Sequence, residues 1–264
     1  MCTFTVVTVV FNDVHRIVET VQSVTAQKIE GLQHIIIDGQ STDGTLSMLE
    51  NYQHLEIVSE PDNGIFDAMN KGLAKAVNDY VIFMNAGDTF YNENVLTDVR
   101  NYINNLHGQR PDMIFGDSWE FDRRNVGWGQ FKKSRNIAMI NYGMICHHQA
   151  IFYSVKFLKI KKINYDLSYL KAGDYAFTAE VIKNSNNVLR LPICICKYDL
   201  FGVSQTCYAF DFTEPRRVKV EILQLHIFIV YLITSFQKVL NFIKLKSPNT
   251  YHFIRYKIVF WCKR

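Results

Sequence analysis

The first 120 residues repeat one pattern: a short, nearly continuous apolar run, a polar turn, then apolar residues at helical spacing. The runs are Thr3 to Asn12, Gln33 to Asp38, Leu55 to Ser59, Tyr80 to Met84 and the stretch opening at Asp112. Rich in Val, Ile and Phe without polar alternation, they predict strands buried on both faces. Between them, Ile17, Val18, Val21 and Val24 share one helical face, with Asp13 as a candidate cap. Leu46, Met48 and Leu49 predict a second helix, Ala68, Met69, Leu73 and Ala76 a third over Ile65 to Val77, and Glu93 to Leu106 a fourth. Strands alternating with helices predict a parallel sheet with right-handed crossovers. Ligands of such sheets sit at the carboxyl ends of the strands. Asp38, Glu60, Asp62 and Asp88 all fall at or just beyond those ends.

The 264 residues suit one large α/β domain with a tail, and 20% charged against 48% hydrophobic residues excludes a disordered chain. A net charge of +4 is too mild to point to nucleic acid. Cys2, Cys146, Cys194, Cys196, Cys207 and Cys262 form no C-x-x-C pair, so neither zinc spacing nor a disulfide framework is present. With a strand-like N-terminus and no basic leader, the expectation is a reduced, cytoplasmic compartment. From about Glu214 the character changes. Ile222 to Gln237 carries no charged residue, is short for a membrane span, and is flanked by Arg216, Arg217, Lys219, Lys238, Lys244 and Lys246. That pattern, repeated in base-aromatic form over Arg255 to Arg264, predicts amphipathic helices lying on a membrane surface. The expected division is a domain over 1–212 and a helical, membrane-associating extension over 213–264.

Three segments carry a family resemblance. Asp38-Gly39-Gln40-Ser41-Thr42-Asp43-Gly44-Thr45 resembles the D-G-G-S-T-D-G-T signature of GT-A-fold family 2 glycosyltransferases. The block from Ser59 to Gly72, S-E-P-D-N-G-I-F-D-A-M-N-K-G, resembles that of the subgroup building bacterial surface polysaccharides, colanic-acid and O-antigen transferases included. Asn85-Ala86-Gly87-Asp88 is similar to that subgroup's N-x-G-D variant of the D-x-D metal motif. His148-Gln149 and Asp174-Tyr175 match downstream positions, and the resemblance spans roughly 3 to 205. Gln40 stands where a glycine is usual, Gly173 precedes the acid where relatives carry an acid or alanine, and Phe201-Gly202-Val203-Ser204 keeps one glycine of a late pair.

The resemblance implies a GT-A fold and an inverting, metal-dependent transfer of a hexose or N-acetylhexosamine from a UDP-sugar. The acceptor would be an undecaprenyl-diphosphate-linked saccharide, at the cytoplasmic face of the bacterial inner membrane. Asp88 would hold Mn²⁺ or Mg²⁺, hard ions that offset the charge on a departing diphosphate. Asp38 would face the base, with Thr8, Val9 and Phe11 beside it. Asp67, Asn70 and Lys71, one helical face apart by three and four residues, would reach ribose, diphosphate or sugar with Glu60, Asp62, Asn85, Ala86 and Gly87. Asp174 would be the base that takes the acceptor proton, or only a helix cap. His147 and His148, adjacent on an expected strand, would point to opposite faces, His148 with Gln149 toward the acceptor. Trp119, Trp128 and Arg123 lie in the variable middle, where aromatic faces and a guanidinium suit a sugar diphosphate. A nucleotidyltransferase would need a glycine-rich, lysine-bearing loop near the N-terminus, and the sequence has none. The remaining alternatives are a GDP- or dTDP-sugar donor, or an inactive nucleotide-sugar-binding scaffold; a homodimer is compatible with any of them.

Overall fold

The computed structural model describes residues 1–125, 127–200, 211–247 and 250. Nine strands form one sheet: β1 (Phe4–Val10), β2 (Gln33–Asp38), β3 (Leu55–Ser59), β4 (Tyr80–Phe83), β5 (Thr89–Phe90), β6 (Met113–Phe121), β7 (Gly129–Lys132), β8 (Ile151–Ser154) and β9 (Val188–Asp199). The order is β3-β2-β1-β4-β8-β6-β9-β5, with β7 paired to β6. The first half is parallel, as the alternation predicts: β1 pairs β2 and β4, and β2 pairs β3. Beyond β4 the sheet is mixed, antiparallel at β4–β8, β8–β6, β6–β7 and β5–β9 and parallel at β6–β9. The switch follows from connectivity: β8 enters beside β4 from the irregular middle rather than through a crossover helix.

Helices α1 (Val14–Thr25), α2 (Thr45–Leu49), α3 (Ile65–Lys75), α4 (Val95–Asn104), α5 (Val155–Lys161) and α6 (Gly173–Asn184) flank the sheet. The apolar stripe read on the first helix is its buried face, through Ile17, Val21 and Val24. Asp13 sits at that helix's N-cap but makes no capping bond; its carboxylate pairs with Arg16 at 2.6 Å. β1, β2 and β4 are almost wholly buried, as continuous apolar runs require. Cys2, Cys146, Cys194 and Cys196 are free thiols. Cys207, Cys262, the Gly202 segment and Arg255 to Arg264 lie outside the described residues.

The extension begins with α7 (Thr213–Arg217), a π-helical turn over Val218–Ile222, and α8 (Ile227–Lys246). Its root is part of the main body: Val218 is fully buried in the principal core, with Ile222 and Leu223 against it. The described part of α8 docks through Val230, Ile233 and Thr234. Its outer side exposes Phe228, Tyr231, Leu232, Phe236, Val239 and Phe242, a stripe at helical spacing. Among the described residues no helix is long and apolar enough to cross a membrane.

Candidate functional site

The carboxyl ends of β1, β2 and β4 lie side by side, because hydrogen bonds carry the ladders past the strands: Gly39 N–H to Val10 at 2.9 Å, Met84 N–H to Val7 at 2.9 Å, Glu60 N–H to Asp38 at 3.0 Å. Onto this edge the sequence delivers two groups of polar residues.

The first is the loop of the D-G-Q-S-T-D-G-T segment. The Asp38 carboxylate is fully buried and accepts from Ser41 N–H at 3.1 Å and from the Ser59 hydroxyl at 2.6 Å. Asp43 accepts from Val14 N–H and from the N–H and hydroxyl of Thr45, and Asn12 accepts from Thr42 N–H. These acids close backbone turns. Asp38 is thus held within its own turn. Thr8 is likewise fully buried and bonded to the His34 ring at 3.0 Å, so it is core. Gln40 adopts φ 65°, the left-handed region, which explains the glycine usual there. Val9 is buried; Phe11 is 64% exposed at the rim. Asp62 stands next to it: a Cβ on Gly39 would come within 2.7 Å of Asp62 Oδ2 and 3.2 Å of the Phe11 ring.

The face of α3 expected to meet the ligand holds its own loops. Lys71 donates to Pro61 O at 2.6 Å and pairs with Glu60 at 3.1 Å and Asp67 at 3.7 Å. Asp67 accepts from Asn63 N–H at 2.9 Å. Asn70 exchanges two 2.8 Å bonds with the backbone of Tyr165. The spacing put the three on one face; their own neighbours take them up.

The second group is different. The turn Asn85 to Asp88 is anchored on α1, where the Thr20 hydroxyl accepts from Gly87 N–H and donates to Asp88 O. His148 and Gln149 open a short 3₁₀ turn rather than continuing the expected strand. The Asn85 amide nitrogen lies 3.2 Å from His148 Nε2, and His148 Nδ1 lies 3.7 Å from Asp174 Oδ2. An amide NH₂ only donates, so with Asn85 in this orientation the ring proton sits on Nδ1, toward Asp174. Gln149 donates to the buried Asp88 carboxylate. Burial pushes the Asp88 carboxyl up to about 7, against the pull of His148, Gln149 and the Asp199 backbone. Asp174 is in the first turn of α6, where its Oδ1 accepts from Tyr175 N–H at 2.7 Å, and its side chain is 29% exposed. Two buried oxygens here, Asn85 Oδ1 and Gln149 Oε1, have no hydrogen-bond partner among the described residues.

His147 turns away from this group. It stacks on Tyr198 with ring centroids 3.8 Å apart, and Glu120 and Lys132 flank its Nε2 at 3.0 and 3.1 Å. Burial and the Lys132 charge pull the imidazole down to about 4, so it is neutral at pH 7. The residues expected at the acceptor are engaged in the fold. Arg123 bridges Glu19 and Asp199 at 2.9 Å each, and half-buried Trp119 fills the space over Gly129. Trp128 is half-buried at the foot of β7. No sequence signal marked Glu120, Lys132 or Asp199, because their partners are remote in the chain.

Residues 5–160 match the family described as glycosyl transferase family 2. The chain belongs to glycosyl transferase family 2. An uncharacterised glycosyltransferase of Mycobacterium tuberculosis is 30% identical over 208 residues, 76% of each chain. The PGL/p-HBAD biosynthesis glycosyltransferase of Mycobacterium bovis is 29% identical over 187 residues, 68% of this chain and 70% of that one. Among solved structures, S. aureus TarS 1-349 in complex with UDP-GlcNAc superposes with TM-score 0.69 at 21% identity, over 97% of this chain and 76% of that one. That likeness shows the GT-A fold.

Among the described residues no three His, Cys, Asp or Glu side chains stand together as a metal cluster. A hard divalent ion that keeps waters and takes diphosphate oxygens needs only one or two carboxylates. Asp88, with the unpartnered amide oxygens of Asn85 and Gln149 close by, fits that simpler kind of site.

Proposed function

We propose that the chain is an inverting transferase that moves a hexose or N-acetylhexosamine from a UDP-sugar to a hydroxyl of an undecaprenyl-diphosphate-linked saccharide. The work would be done at the cytoplasmic face of the inner membrane, in surface-polysaccharide assembly of the O-antigen kind. The observation that carries the reading is Asp174, half-open at the start of α6, with His148 Nδ1 3.7 Å away and Asp88 beyond the histidine. Asp174 takes the acceptor proton as that oxygen attacks the anomeric carbon; the bond to the diphosphate breaks on the opposite side, and UDP leaves. His148 holds the carboxylate in line. Asp88 would hold Mn²⁺ or Mg²⁺, which offsets the charge gathering on the leaving diphosphate. Phe11 offers an exposed ring for the base and Asp62 a carboxylate beside it, next to the turn that Asp38 holds. The UDP-GlcNAc in complex with S. aureus TarS supports the donor, and the PGL/p-HBAD biosynthesis named for the Mycobacterium bovis relative supports a biosynthetic transfer. The apolar outer stripe of α8 supports attachment to a membrane surface.

The test is thermal stabilisation of the purified protein by UDP, GDP, dTDP and CMP, each with Mn²⁺ and with EDTA. A ligand of the native state raises the melting temperature by mass action. A Mn²⁺-dependent rise with UDP alone supports the donor. A rise with GDP or dTDP instead redirects it, and no rise with any nucleotide overturns the reading.

A further inference from the structure

We infer that Glu214, in the C-terminal extension, is a positioning residue for the turn that presents Asp174; the inference rests on Asp174 as the base. Glu214 Oε1 accepts from Leu170 N–H, and Oε2 from Lys171 N–H and Ala172 N–H, all at 2.8 Å. Three consecutive amides converging on one carboxylate form an anion nest, filled here by a side chain more than 40 residues away in the chain. Each bond is charge-assisted and stronger than a neutral one. The next residue, Gly173, is pressed from the other side: a Cβ there would lie 2.6 Å from the Phe66 ring. The backbone leading into Asp174 is therefore held between Glu214 and Phe66.

The neighbouring contacts come from the same segment. Asp211 pairs with Lys171 at 2.7 Å, Arg217 donates to Ser168 Oγ at 2.7 Å, and the Lys219 ammonium lies 5.8 Å from the centroid of the Tyr175 ring. The Ala172 N-cap contributes no side-chain bond of its own, and Asp174 Oδ1 accepts from Tyr175 N–H at 2.7 Å, so the carboxylate moves with the turn that Glu214 holds. Asp174 in turn faces His148 across 3.7 Å, a gap that a small rotation of the turn would open. Glu214→Gln presents one acceptor oxygen, and an NH₂ that faces N–H donors, so it cannot satisfy all three amides. A misplacement of about 1 Å in a reacting group costs about 100-fold in rate.

The experiment compares wild type, Glu214→Gln and Glu214→Asp by three readouts. These are amide hydrogen exchange over 168–176, the ¹⁵N shifts of the His148 ring, and UDP release from UDP-GlcNAc with Mn²⁺. In Glu214→Gln, exchange at 170–172 rises about 10-fold or more while α1 and α3 keep their protection. The His148 shifts move toward those of Asp174→Asn. UDP release falls by about 10- to 100-fold with the thermal shift by UDP unchanged. Glu214→Asp, which keeps the carboxylate, recovers part of each. Unchanged exchange at 170–172, or loosened exchange with unmoved His148 shifts, overturns the inference. If wild type releases no UDP, the catalytic reading fails separately, and the exchange and ring shifts still decide whether Glu214 sets the turn.

Discussion

The two polar groups at the strand ends were equally prominent in sequence, yet they are built oppositely. In the group of Asp38 and Asp43 in the loop and Asp67, Asn70 and Lys71 on α3, the charged and amide groups named are taken up by a neighbouring backbone or side chain. In the group of Asn85, Asp88, His148, Gln149 and Asp174, two buried oxygens have no hydrogen-bond partner among the described residues, a carboxyl is held near neutrality, and Asp174 stays half-open. Buried polar atoms are rarely left unpaired unless a ligand or function uses them. The first group shapes the edge of the sheet, and the second leaves chemistry available. A motif can thus specify backbone as firmly as it specifies contacts.

The widest separation of the two comes from Asp174→Asn, which removes the proton acceptor while keeping shape. Turnover falls by about 100- to 10,000-fold with the UDP-induced thermal shift retained; full turnover would move Asp174 out of the chemistry. The His34 ring behind Thr8 gives a smaller effect. Burial pulls it down to about 3. Between that value and the ordinary one near 6.5, the unfolded chain binds the extra proton, so stability rises with pH through this window and is complete above it. His34→Gln removes that share of the slope, on the order of 2 kcal/mol, in unfolding measured from pH 4 to 7. Asp38→Ala is expected to do the reverse of Asp174→Asn. It empties the buried Asp38 position and takes the acceptor from the half-buried Ser41 amide and the exposed Ser59 hydroxyl, and it destabilises by about 1 kcal/mol, measured by urea unfolding. A stable variant that has lost UDP binding would instead place Asp38 at the base. The smallest expected effect is at Gln40. Glycine relieves the left-handed strain but gains freedom in the unfolded chain, and Gln40→Gly stabilises by about 0.5 kcal/mol. A loss of stability would mean that the Gln40 side chain is held by something beyond its turn.

Much of this molecule was legible from local pattern. Continuous apolar runs and helical stripes depend on neighbours a few residues away, so β1 to β4, α1 and α3 and the parallel half of the sheet follow from them directly. Acids after strands also marked one edge of the sheet, and Asn85, Asp88, His148, Gln149 and Asp174 come together in the structure. Side-chain vacancy is not a local property. Lys71 is occupied because the chain folds Pro61 and Glu60 back over it, and Arg123 because α1 and β9 bring Glu19 and Asp199 to it. His147 and His148 part company because a 3₁₀ turn replaces the expected strand. The extension was read as a separate attachment, yet its root buries Val218 in the core and sends Glu214 to the turn before Asp174. The sequence by itself determined which elements form and which edge of the sheet gathers the acids, since both are written in short-range periodicity. Only the tertiary structure decided which of those acids are consumed by the fold and which are left for a substrate. That depends on hydrogen-bond partners tens of residues apart, which meet only once the chain has closed.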